Sequence, residues 1–373
     1  MNNLQWGLIG IAFTFFAHYF FVTVVLGLSV LIPIFEITGR LGRREENVEF
    51  ARKLTSYLIR VDLFAGVLAT WLTVFLAGYW PSLLFTATDT LFYPVSLAIV
   101  GIMIAIVSMA IYWYTWDKMS SRVHMVVGIF MALGALLVPL GMSSIFATID
   151  YPYGVKVETV SGLTLFVPNS QNVFMNPIYL PLVLYTWLIS IAVTSFIVTV
   201  YAYNRLKKGE FGEHILKQSR NITIISSLMA LIFMLWLVYE VKSYSQYIYT
   251  QMVGNYSLVI SEVLAIIMVL LSIGLLLKNL IYPLSIIGAA LSYFLMMFFE
   301  IQMNVSRYPY IIVIGNSGIP ASEEINPLFN IPAILPEAAI LTFILMLITF
   351  LATIYIAFIM FPINKRNQAG EIL

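Results

Sequence analysis

Only three histidines, His18, His124 and His214, and no cysteine at all occur among the 373 residues of this chain. Groups able to hold a metal are therefore few. Without thiolates, disulfides, iron–sulfur clusters and cysteine-ligated metals are excluded, and imidazole is the strongest neutral ligand left. The other groups with chemistry are acids set inside apolar runs: Glu36, Asp62, Glu240, Glu262 and Glu300. An ionisable side chain in hydrocarbon is costly and marks a path, a partner or a cofactor. His18 stands in "IAFTFFAHYFFVTVVLGLSVLIPIFEITGR", between Phe15, Phe16, Phe20 and Phe21. Two readings are open for it. It is an imidazole hydrogen-bonded to a neighbouring helix, or an axial ligand of a haem iron, whose flat apolar ring suits aromatic walls.

Glu36 follows His18 by 18 residues, which is about five helical turns, so the two share a face roughly 27 Å apart. Near the end of its helix, Glu36 is expected to be solvated or paired with Arg40 at i+4. His214, in "KKGEFGEHILKQSR", reads as a surface residue, and "SEEINP" as a solvated loop. Glu262 and Glu300 lie deeper in their helices, where a helix–helix hydrogen bond and a functional role are equally open. With Asp62 and Glu36, Glu262 completes the set of polar-path candidates. No glycine-rich phosphate loop, paired-carboxylate hydrolase site or zinc cluster is visible.

The elements that must position these residues are membrane helices. Hydrophobic residues make up 61% of the chain and charged ones 10%, against about 25% charged in a soluble domain, and mean hydropathy is +0.94. A span needs about 20 apolar residues. That rule predicts an all-α polytopic protein with about nine spans: residues 7–37, 58–84, 91–113, 126–149, 178–203, 222–239, 258–277, 281–303 and 338–361. Fifteen of the nineteen Lys and Arg residues, among them Arg40, Arg52, Lys118, Arg205, Lys278 and Lys365, fall on one side. Lys156, Lys242 and Arg307 fall on the other, and Arg60 sits inside the second span. By the positive-inside rule the N-terminus is outside and the C-terminus cytoplasmic, which an odd number of spans requires. The start, "MNNLQWGLIG", has no basic region or cleavage site, so the first helix is expected to be retained. Two long outer segments, 150–177 and 304–337, contain Pro and Gly and read as loops. No linker divides the chain, and residues 1–373 are expected to form one membrane domain. The net charge of +1 gives no reason to expect nucleic acid; lipid is the expected environment.

The order and spacing of several motifs resemble subunit I of the cytochrome bd quinol oxidases. "HYFFVTVVLGLSVLIPIFE" is similar to that subunit's first helix, from its haem-ligating histidine, here His18, to a helix-end glutamate, here Glu36. "GVLATWLTVFLAG" is similar to its second helix. "WDKMSSRVHMVVGIFMALG" parallels Trp-Asp-Lys/Arg, His-Met and Ala-Leu-Gly, covering Trp116, Asp117, His124, Met125 and Gly134. "MNPIYLPLVLYT" resembles the opening of helix 5, and "YNRLKKGEF" the loop after it. The likeness is good over roughly the first 220 residues. Farther on, "RYPYIIV" and "NIPAIL" also resemble subunit II.

The departures carry as much meaning. The resemblance implies a histidine ligand of a low-spin haem b on helix 5, where this chain has Tyr185. Met268 matches the opposite methionine ligand but lacks its partner, so a low-spin bis-axial haem is expected to be absent. Val100 stands where a proton-conducting glutamate is implied, and Ser108 where a second is. The quinol-binding loop after helix 6 is too short in "YEVKSYSQYIYTQMVGNYS". Glu300 in "FEIQMNVSRYPY" is the counterpart of a glutamate haem ligand, with Arg307 about three residues closer than the pattern expects. The resemblance thus implies a subunit of a bd-type quinol:oxygen oxidoreductase in a prokaryotic plasma membrane. This chain reads as a diverged paralogue that pairs with a complete subunit I, meets quinol only through that partner, and retains the ligand for one haem b at His18. A face bearing Glu262 or Glu300 is expected at that boundary, and Gly134–Ala135 and Gly288–Ala289–Ala290 are expected to permit close helix contact. The alternatives are a haem-free structural partner and a transporter that reuses the fold.

Overall fold

A computed structural model describes residues 3–79, 88, 91–153, 155–160, 163–168, 172–320 and 336–355. The "SEEINP" and "NIPAIL" segments, the ends of the second and last expected spans, and Lys365 lie outside the described residues. Ten α-helices occur among the described residues: α1 (Asn3–Gly42), α2 (Glu45–Tyr79), α3 (Phe92–Tyr114), α4 (Ser121–Asp150), α5 (Tyr179–Lys207), α6 (Glu213–Tyr244), the short α7 (Gln246–Gly254), α8 (Ser257–Gly274), α9 (Ile281–Val305) and α10 (Pro336–Tyr355). Eight of them are long and apolar enough to cross a membrane, and α10 adds a ninth apolar helix of 20 residues. The expected all-α bundle is therefore present. The two outer segments are not plain loops, however. Each carries an antiparallel hairpin, β1 (Val155–Val160) with β2 (Leu163–Pro168) and β3 (Tyr310–Ile314) with β4 (Ser317–Pro320). Pro and Gly argued against helix there, and hairpins satisfy the backbone without one.

The helices pack largely in chain order: α1 on α2, α3 on α4, α5 on α6, and α8 on α9. α1 also lies against α4 and α5, and α5 against α9, so these two helices are the most enclosed spans. Small residues set the closest approaches. A Cβ on Gly134 of α4 would sit 2.5 Å from the Ala105 backbone nitrogen of α3, and one on Gly288 of α9 would meet the Phe196 ring of α5. Gly134 and Gly288 thus permit the close helix contact expected of them, here within the chain. Lipid offers no hydrophobic drive between helices, so such packing and interhelical hydrogen bonds hold the bundle. Between α5 and α6 the hydroxyls of Thr199 and Thr223 lie 3.2 Å apart. Asn176 of the "MNP" motif joins α4 to α5: its Nδ2 donates to the Ala147 and Tyr151 carbonyls and its Oδ1 accepts from Ile178 N–H.

Candidate functional site

The sequence candidates separate into two clusters at opposite ends of the bundle. At the basic end, Glu36 of α1 is not solvated. Its side chain is fully enclosed and bonded from three helices. Tyr112 Oη on α3 donates to Oε2 at 2.7 Å, His124 Nδ1 on α4 lies 2.8 Å from Oε1, and Arg40 Nε donates to Oε1 at 3.3 Å. The second nitrogen of His124, Nε2, meets the Tyr112 carbonyl at 2.9 Å. The ring is held between Tyr112 and Trp116, with centroids 4.1 and 4.4 Å away. Asp117 is drawn to Arg52 of α2 through two bonds of 3.2 and 2.6 Å. His124 therefore clamps the end of α1, while Asp117 of the "WDK" motif ties the α3–α4 turn to α2. Tyr112 gave no signal in "IYWYTW", because Tyr112 and Tyr114 differ only in which face of the helix is buried.

Toward the far end, the half-buried His18 places Nδ1 3.0 Å from the Ala65 carbonyl of α2. A carbonyl only accepts, so Nδ1 carries the hydrogen and Nε2 keeps its lone pair, the tautomer and orientation a metal-ligating histidine needs. Around it, Phe21 stacks on Phe64 at 5.3 Å, and Phe16 and Phe20 meet Tyr293 edge-on. Among the described residues Nε2 of His18 has no bond, and it keeps the lone pair that an axial ligand needs.

The residues at the low-spin haem position implied by the family resemblance do not fit a haem. Tyr185 and Met268 share one buried apolar cluster with Phe299, Leu295 and Met296. The Tyr185 ring stands 5.5 Å from Phe299, and its hydroxyl has no hydrogen-bond partner among the described residues. A protonated phenol and a thioether set in continuous packing do not make a bis-axial pair.

Glu300 is enclosed, 9% exposed, and accepts a 3.0 Å hydrogen bond from Tyr19 Oη. Successive helical residues point about 100° apart, so α1 turns His18 to α2 and Tyr19 to α9, and the two candidate ligands face different neighbours. The boundary face expected for Glu300 is thus closed within the chain. Beyond it, Arg307 Nε pairs with Asp150 Oδ1 at 3.5 Å, and Arg307 also donates to Asn304. Burial pulls the Arg307 guanidinium below its ordinary value, and Asp150 and Glu300 oppose that pull.

The remaining candidates stay apart. Asp62 and Glu262 are half-buried with no hydrogen bond among the described residues. Glu240 accepts from Trp236 Nε1 at 2.8 Å. His214 lies at the basic surface, 3.7 Å from Glu46. Val100 is exposed on the outer face of α3, and Ser108 is buried. No group of three or more metal-ligating side chains occurs among the described residues. An apolar groove of about 350 Å³ between α2 and α10, lined by Val67, Trp71, Leu345 and Thr349 among others, contains none of the candidates.

The family model for "Cytochrome bd terminal oxidase subunit I" matches residues 8–251. The fold is similar to a chain in the structure of bd oxidase from Geobacillus thermodenitrificans, with a TM-score of 0.76, 14% sequence identity, and coverage of 95% of this chain and 96% of that one. No curated protein matches. The family belongs to the prokaryotic plasma membrane, to multi-subunit oxidase complexes and to haem proteins, and the apolar spans here agree with a multi-pass member. The chain belongs to the cytochrome bd terminal oxidase subunit I family.

Proposed function

We propose that this chain is a diverged subunit I-like paralogue that pairs with a complete subunit I in a bd-type quinol oxidase. In this reading it holds one haem b, through His18, and leaves quinol oxidation to its partner. Its N-terminus lies outside the membrane and its C-terminus in the cytoplasm, as the cation bias requires. The observation that carries the haem assignment is the His18 ring, fixed by Ala65 through Nδ1 so that Nε2 is free as a donor. Haem bound there would supply a one-electron redox centre. The chain's own part is to orient the imidazole and to keep water from it with Phe21 and Phe64. Electron entry through a low-spin haem has no matching donor set at Tyr185 and Met268. Val100 and Ser108 provide no carboxylates where the family resemblance implies proton-conducting ones. The four-electron reduction of oxygen therefore falls to the complex.

The test is the reduced-minus-oxidised visible spectrum of the purified full-length chain, alone and with its co-purifying partner. A haem b signal present in the wild type and lost in His18→Ala is the expected result. A signal that survives His18→Ala overturns the ligand assignment. A colourless wild type favours the haem-free structural partner, for which the Nδ1 bond to Ala65 is simply an interhelical contact.

A further inference from the structure

The haem reading makes no use of the three-helix cluster at the basic end, and that cluster contains one proton more than its resting groups would carry. Both nitrogens of His124 face oxygen. At Nε2 the partner is the Tyr112 carbonyl, which can only accept, so Nε2 is protonated. At Nδ1 the partner is Glu36 Oε1 at 2.8 Å, and a hydrogen must lie between the two atoms. Carboxylate with imidazolium, and carboxylic acid with neutral imidazole, both satisfy the contact and have the same total charge. The site is closed to the bundle but not to the basic end, because Arg40, which donates to the same Oε1, is itself a quarter exposed. Inward, Ser29 lies seven residues before Glu36 on the same face of α1, about 10 Å away, with its fully buried Oγ unpartnered. A buried hydroxyl without a partner among the described residues is a polar group toward which the cluster opens along α1. A purely mechanical lock would not need charges, since apolar residues of similar volume often serve as well or better.

We propose that Glu36 and His124 form a proton-holding site that shares one exchangeable proton between Oε1 and Nδ1 and is loaded from the basic end past Arg40. The charged and titratable groups that face it are Arg40 from α1 and Tyr112 from α3, with the Arg52–Asp117 pair joining α2 to the α3–α4 turn beside it. The transfer is of a proton alone: the Nδ1–H bond breaks as the Oε1–H bond forms, and in reverse.

With only three histidines, ¹⁵N-histidine NMR of the full-length chain in nanodiscs resolves this site once His18→Ala and His214→Ala have identified the other two signals. The expected result is a His124 Nδ1 signal that lies between those of a protonated and a bare imidazole nitrogen, exchanges with solvent deuterium, and is displaced in Glu36→Gln. Tyr112→Phe keeps the pair but removes one donor to Glu36, and should displace the same signal; it decides the matter if Glu36→Gln does not fold. A His124 signal that does not exchange, or that neither variant displaces, overturns the proposal. The measurement needs no haem and no partner, so it fails or succeeds separately from the assignment of His18.

Discussion

The two ends of the bundle were built from the same kind of material, acids, tyrosines and one imidazole set among apolar side chains, and they have been treated differently. In the cluster at the basic end, both oxygens of Glu36 and both nitrogens of His124 are partnered, and three helices are tied together by those bonds; the Trp116 indole N–H beside them lacks a partner among the described residues. Toward the far end, the position that resembles a haem-ligand site holds Tyr185, whose hydroxyl is buried without a bond, and Glu300 is engaged by Tyr19. The contrast is one of cost: breaking a bond that joins helices leaves a charge stranded in low dielectric, whereas a phenol in an apolar cluster is held by packing.

The most severe way to break the comparison is Glu36→Leu. It strands His124, Tyr112 and Arg40, and should cost about 3–5 kcal/mol, read as a lowered midpoint of thermal unfolding in detergent. Gly134→Val, in the same motif stretch, forces a side chain onto the α3 backbone and should cost about 1–3 kcal/mol by the same measurement. A smaller effect of opposite sign is expected at the other end. Tyr185→Phe removes an unpaired buried hydroxyl and should stabilise by about 1 kcal/mol; destabilisation there would reveal a partner for that phenol and weaken the contrast. The smallest effect belongs to the loop after α5. Arg205 donates to Glu210 at 2.6 and 2.8 Å, and Lys53 at 3.3 Å. The Arg205 bond, with Lys53 assisting, holds the Glu210 carboxyl below its ordinary value. Its contribution is therefore present above the unfolded carboxylate pKa and lost as pH falls through the lower folded one. Solvent screening limits it to about 0.5 kcal/mol. Unfolding midpoints of wild type and Glu210→Gln should differ in neutral buffer and converge in acid.

Much of this architecture was legible in the chain itself. Apolar length placed the helices, since nothing but a helix can satisfy its own backbone in lipid. The motifs around His18, Trp116, His124 and Asn176 lie within the 8–251 stretch matched by the family model. Past that stretch the likeness is one of shape, with 95% of the chain following a known fold at 14% identity. Side chains there need only be apolar and of suitable volume, a requirement that many sequences meet.

What the sequence determined by itself was the apolar segments and which residues were costly enough to need a reason. It could not tell that Glu36 is enclosed rather than solvated, that Tyr112 and not Tyr114 bonds it, or that Gly134 and Gly288 are filled from within. Those outcomes depend on which face of each helix meets which neighbour. A hydrogen bond of 2.7 Å between residues 76 positions apart is fixed by helix rotation and approach, which only the packed bundle sets.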